Sequence, residues 1–225
     1  MFFLLLIIIA DLDSILARVE VRSRELGILK GRMEVVFEYP RAETLIGRFY
    51  LKNKNLLMRI YSPNLQDFLI TDTMLIIYNP EFKEKIIKRG TSPINRPVPY
   101  IDMGPGILGW MADWQLEILG QDSIHGYDLY IMEGKNNDTM QTYQRSLIWI
   151  DSRSYLIRRV EFYDRDSLLN FVYLVHADQS FGEVIIPKEY EMRILTDFGV
   201  IVFSVILSAL EIPPELPDSL FRVGG

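Results

Sequence analysis

The stretch Arg32-Met33-Glu34-Val35-Val36-Phe37-Glu38-Tyr39 alternates. Met33, Val35, Phe37 and Tyr39 fall on one side of an extended chain, and Arg32, Glu34, Val36 and Glu38 fall on the other. A period of two marks a strand with one buried and one wet face, the pattern of antiparallel sheet. The same alternation follows in residues 44–52, where Leu45, Phe49 and Leu51 oppose Arg48, Tyr50 and Lys52. Further strands are expected at 56–62, 67–71, 73–79 and 83–89, with Ser62-Pro63-Asn64, Asp72 and Asn79-Pro80 as breaks. Others are expected at 127–134, 143–151, 156–164, 168–176, 183–196 and 200–211, the last stopped by Pro213, Pro214 and Pro217. Short strands at this spacing, without a βαβ rhythm, give a mainly β fold rather than a parallel sheet.

On the N-terminal side, Leu12, Ile15, Leu16, Val19 and Leu26 form one helical stripe. Asp11 or Asp13 suits the N-cap and Gly27 the C-cap, so residues 12–26 read as one amphipathic helix. Residues 1–10 are almost purely apolar and too short to span a bilayer. They match the apolar core of a secretory signal, truncated because no positive residue precedes it, with Ala10 at a cleavage site; a buried strand or helix end is the other reading. On the C-terminal side of the sixth strand, Pro93, Pro97, Pro99 and Pro105 make residues 91–106 a loop. Beyond it, Leu108, Met111, Ala112, Gln115, Leu116 and Leu119 recur at helical spacing beside Trp110 and Trp114. A second, short helix is therefore expected over 107–119.

Residues 11–225 fit a single domain large enough for one sizeable core. The chain is 49% hydrophobic and 24% charged, a globular composition. Its net charge of −6, with both signs mixed along the chain, gives no basic stripe for nucleic acid. With no cysteine and two histidines, His125 and His176, thiolate chemistry and a histidine metal cluster are excluded.

Several motifs invite a catalytic reading and lose it in context. Gly104-Pro105-Gly106-Ile107-Leu108-Gly109 spells G-x-G-x-x-G, but no buried strand precedes it and antiparallel sheet follows. Asp197-Phe198-Gly199 lacks the companion kinase motifs and reads as a hairpin turn. Asp164 and Asp166 flank Arg165 at a turn that lacks the remaining ligands of a calcium loop. Asn137-Asp138-Thr139 is a formal glycosylation sequon. No G-x-S-x-G accompanies the scattered serines, so no catalytic residue, metal site or cofactor is assigned.

What remains is apolar. Met33, Val35, Phe37, Phe49, Leu51, Met58, Ile60, Phe68, Ile70, Met74 and Ile76, with Tyr78, are expected on the inward faces of successive strands. A filled core is one reading of that face. Methionines and aromatics together also give an adaptable surface for flexible ligands, and ligand sites are commonly apolar concavities.

Three stretches carry a resemblance to a known family. From Gly47 to Pro80, Phe49-Tyr50-Leu51-Lys52 leads through Asn55-Leu56 and Ser62-Pro63 to Tyr78-Asn79-Pro80. From Leu147 to Asp164, Trp149-Ile150-Asp151 is followed by Leu156 and Tyr163-Asp164. At the end come Leu210-Glu211-Ile212, Pro217 and Leu220-Phe221. Together with the order of elements, they resemble the LolA/LolB-like superfamily of periplasmic lipoprotein carriers. The resemblance implies an incomplete antiparallel β-barrel of about 11 strands. An N-terminal helix and a short lid helix, bearing Trp110, Met111 and Trp114, would lie over its concave face. It implies a periplasmic, monomeric carrier of lipid or lipoprotein acyl chains, serving an inner-membrane donor complex and an outer-membrane acceptor. It further implies that cargo moves towards the outer membrane. In LolA itself a strand arginine tethers the lid; the corresponding position here is Asn53. That departure keeps an exported RseB-like sensing or protein-interaction module as the alternative.

Overall fold

Thirteen strands join in one antiparallel sheet in a computed structural model, which describes residues 11–25, 27–38, 42–53, 55–71, 73–89, 111, 113–124, 126–138, 141–196 and 199–223. The expected apolar leader, residues 1–10, lies outside the described residues. Helix α1 (Leu12–Glu25) leads into β1 (Ile28–Phe37), β2 (Glu43–Lys52), β3 (Asn55–Ser62), β4 (Gln66–Ile70), β5 (Met74–Asn79) and β6 (Glu84–Arg89). Then come β7 (Gln115–Ile124), β8 (Tyr127–Lys135), β9 (Arg145–Asp151), β10 (Ile157–Tyr163), β11 (Leu169–Phe181), β12 (Val184–Thr196) and β13 (Gly199–Glu211). A 3-10 turn, Asp218–Phe221, follows.

Across the sheet the order is β6-β5-β4-β3-β2-β1-β13-β12-β11-β10-β9-β8-β7. Two meanders therefore run outward from a central pair made by the first and last strands, and the sheet does not close between β6 and β7. It curls instead. Inward side chains from β3 on one wing and β9 on the other meet α1 in a single hydrophobic cluster. Ile15 and Val19 of α1 are buried in it, with Leu12 and Leu16 packed at its margin. The helical stripe thus exists because the half-barrel offers it a greasy face.

The expected helix over 107–119 is corrected at its C-terminal half. Residues 115–119 belong to β7, paired with β8 along Gln115↔Lys135, Leu116↔Gly134 and Ile118↔Met132. Leu116 and Ile118 pack inward while Glu117 is exposed, so period two operates where helical spacing was also present. Pairing with β8 decided between the two periods. Among the described residues α1 is the one α-helix, and a lid helix is not among them.

The outer face differs between the wings. Outside β3–β5, Leu57, Leu69 and Ile76 form a second cluster with Val223, joined by Tyr50, Met74, Tyr78, Leu220 and Phe221. The C-terminal segment is thus a strap across the back of this wing. Lys52 Nζ fastens it to the Leu216 carbonyl at 2.7 Å and to Asp218 at 2.6 Å, and Lys85 Nζ donates to the Val223 carbonyl at 2.8 Å. Outside β7–β11 the face is ionic instead. Glu133 joins Lys135 at 2.7 Å and Arg145 at 2.5 Å, and Arg159 pairs with Glu161. Lys135 and Arg145 hold the Glu133 carboxyl down to about 2 through their hydrogen bonds.

Candidate functional site: the concave face

Cross-strand partners share a face, so the register tells which side chains meet inside. On the first wing the pairs Gly31↔Phe49, Phe49↔Met58 and Met58↔Phe68 run through one row, and Leu51↔Leu56 and Leu56↔Ile70 through the next. Gly31 matters here. A Cβ at that position would stand 2.8 Å from the Phe49 ring, so the glycine lets the ring lie over the β1 backbone.

Met33, Val35, Phe49, Met58 and Ile60 are buried in the main cluster, and Phe37, Leu51, Phe68 and Ile70 pack against it. These nine residues of the expected set are brought together. Met74 and Ile76 are not. They sit on the outer face under the strap, as does Tyr78. The reason is the β4–β5 turn, where Thr71 Oγ1 accepts the N–H of Thr73 and Met74. It sets Ile70↔Leu75 and Leu69↔Ile76, which exchanges the parity of the second strand. Alternation read straight across Asp72 could not reveal this, because both faces of β5 carry apolar residues.

The other wing supplies an aromatic wall. Phe162 stacks with Tyr143 at 5.0 Å, meets Trp114 edge-on at 5.7 Å and lies 5.8 Å from Phe171. Met111 and Trp114, expected in a lid, are buried in the main cluster; Trp110 lies outside the described residues. The Trp114 N–H donates to the Met111 carbonyl at 3.0 Å, and Ser146 Oγ donates to Met111 Sδ at 3.2 Å. Sequence reasoning missed this aromatic wall. Its signal was the repeat of aromatics at inward positions of β10 and β11, Phe162, Phe171 and Tyr173.

Polar groups inside are few and neutral. Tyr173 and Tyr190 lie ring to ring at 5.5 Å, and burial pushes the Tyr190 hydroxyl far above its ordinary range. Buried charges lie on the outer side. Asp151 accepts the N–H groups of Arg153 and Ser154 at 2.9 Å and takes Arg158, which also reaches Asp178 at 2.5 Å. Burial alone would raise the Asp151 carboxyl, but these hydrogen bonds and the Arg158 charge hold it below its usual value. The Trp149-Ile150-Asp151 motif is therefore a turn anchor. Asn79 Oδ1 does the same at Tyr78-Asn79-Pro80, accepting from Glu81 and Phe82.

Asn53, where the resemblance puts the tethering arginine of LolA, is a turn residue with φ of 55°, its N–H donating to the Gly27 carbonyl at 2.6 Å. What holds α1 is different. Arg18 lies 5.1 Å over the Tyr155 ring, and Arg22 donates to the Glu183 carbonyl at 2.5 Å. Among the described residues no group of acidic or histidine side chains could hold a metal. No described helix is long and apolar enough to cross a membrane. Dispersion and apolar burial are what the described concave face offers a ligand.

A family model described as an uncharacterized protein matches residues 52–223. No curated protein matches the chain. Among solved structures, it is similar to an outer membrane lipoprotein-sorting protein domain from Vibrio parahaemolyticus, with a TM-score of 0.73 at 19% identity over 93% of this chain and 95% of that one. It is similar to a DUF1329 family protein from Desulfovibrio piger, with a TM-score of 0.71 at 14% identity over 94% and 97%. A LolA superfamily protein from Nitrosomonas europaea gives 0.66 at 19% identity over 93% and 96%.

Proposed function

The chain belongs to the family of that model and has a LolA-like fold, and on this premise we propose that it is a periplasmic carrier of lipid or lipoprotein acyl chains. The observation that carries the reading is the concave face itself: one apolar lining that includes Met33, Phe49 and Met58, with the amphipathic helix α1 laid over it. Acyl chains enter between α1 and the sheet and replace Ile15 and Val19 as the partners of that lining. Each buried methylene contributes about 0.8 kcal/mol, so two or three chains suffice without a charged anchor. Cargo passes from an inner-membrane donor to an outer-membrane acceptor, and the carrier works as a monomer.

Delipidated protein should take up a fluorescent fatty acid or lipopeptide. Ile15→Asp, which loosens α1 from the face, should speed uptake and release. Delipidated protein that takes up neither probe would sink the proposal. The alternative, an exported sensing or interaction module without transfer, draws on the β6 edge, where Phe82, Ile86 and Ile87 are exposed. It expects a protein partner at that edge and no lipid exchange.

A further inference from the structure

The convex face of the first wing carries a row of arginines. Register places Arg32 opposite Arg48, Arg48 opposite Arg59, and Arg59 opposite Asp67 on four adjacent strands. Directly opposed like charges are unfavourable in a sheet, so such a row calls for an outside partner. Arg59 is partly answered by Asp67 at 3.6 Å. Arg32 and Arg48 are exposed and have no ion-pair partner among the described residues. Glu34, two residues along β1 on the same face, is also exposed.

Around this row the same face exposes Ile46 (38%), Tyr61 (46%) and Ile206 (40%). Ile46 precedes Arg48 on β2, Tyr61 sits at the irregularity of the β2–β3 pairing, and Ile206 lies opposite Glu34. Arginine suits phosphate because its planar fork makes two parallel hydrogen bonds. Tyrosine and aliphatic side chains beside such cations suit the boundary between headgroups and acyl chains. The chain as a whole is acidic, with a net charge of −6, so an anionic surface would repel it in most orientations and accept it in this one.

We infer that the Arg32–Arg48–Arg59 row is a docking surface for a membrane rich in anionic phospholipid. It is a second binding face, on the opposite side of the sheet from the concave lining, and does not depend on what that lining carries.

Co-sedimentation of the full chain tests it, with vesicles of phosphatidylcholine alone and of phosphatidylcholine mixed with phosphatidylglycerol. Wild type should bind the mixed vesicles, release them as salt rises, and ignore the neutral ones. Each basic residue near an anionic surface is worth roughly fivefold in affinity, so R32Q/R48Q should weaken binding by about 25-fold. A control removing two charges elsewhere, K83Q/K188Q, should change it by less than about threefold through net charge alone. Equal binding to both vesicles, or equal loss in the two variants, would overturn the inference. So would wild type that ignores the mixed vesicles but binds polyglutamate through the same arginines, which would assign the face to an acidic protein. Fatty-acid uptake by R32Q/R48Q should match wild type; failed uptake in wild type with vesicle binding intact would remove the carrier reading alone.

Discussion

The wing from β1 to β6 and the wing from β7 to β13 line one interior, yet they finish their outer faces in opposite ways. The first carries an apolar strap over β3–β5, on Leu57, Leu69 and Ile76; the second is covered by Glu133, Lys135, Arg145, Arg159 and Glu161 in ion pairs. Where the back is ionic, a strand must alternate, as Ile157–Tyr163 does with Val160 and Phe162 inside and Arg159 and Glu161 outside. Where the back is apolar, a strand is greasy on both sides, as Met74–Asn79 is. The comparison teaches that alternation reports a wet outer face rather than strandedness as such.

Four measurements would break or sharpen this contrast. The shared interior should be equally sensitive in both wings, so Phe49→Ala and Phe162→Ala should each cost about 3–5 kcal/mol in urea unfolding. A much smaller value on one side would mean that the wings have separate cores. The outer faces should then diverge. Leu57→Ala, under the strap, should cost about 2–4 kcal/mol, whereas Leu147→Ala, on the outer face between Glu133 and Glu161, should cost about 1 kcal/mol. Similar values for the two would erase the distinction.

Smaller effects test the fastenings. Lys52→Met removes the hydrogen bonds to Leu216 and Asp218, and should cost about 1 kcal/mol while raising amide exchange in residues 216–223 above that of β8. Glu133→Gln should cost at most about 1 kcal/mol near neutral pH, since its cations are largely exposed. Its carboxyl is depressed from about 4.5 to about 2 in the folded chain. The stabilisation is therefore complete above pH 4.5 and disappears as pH falls towards 2. Wild type and Glu133→Gln should converge over that window, and a gap that persists at pH 2 would assign it to packing.

The same contrast explains how much was legible in the sequence. Helix α1, β1, β2 and the strands β8 to β13 of the second wing could be read from their polar and apolar faces. Met33, Phe49 and Met58 could be placed inside for that reason. Met74 and Ile76 could not, since the Thr71 turn exchanges their parity and the residues on both sides are apolar. The strap has no period at all; Leu216, Leu220, Phe221 and Val223 are irregularly spaced, and only the fold brings Lys52 and Lys85 to their carbonyls. The entry residues of β7, 115–119, read as helix because they satisfy both spacings until β8 is present to pair with them.

The meeting of the first and last strands at the centre of the sheet has a consequence for how the chain is assembled. Each wing is a run of sequential hairpins, and the β1–β13 ladder from Phe37↔Phe203 to Lys30↔Glu211 is the long-range pairing that joins them. A backbone cut between Arg89 and Met111 would therefore sever no ladder among the described strands. Two fragments made separately, one ending after β6 and one beginning before β7, should associate along that ladder into a working whole, a split protein whose reassembly reports on its central seam.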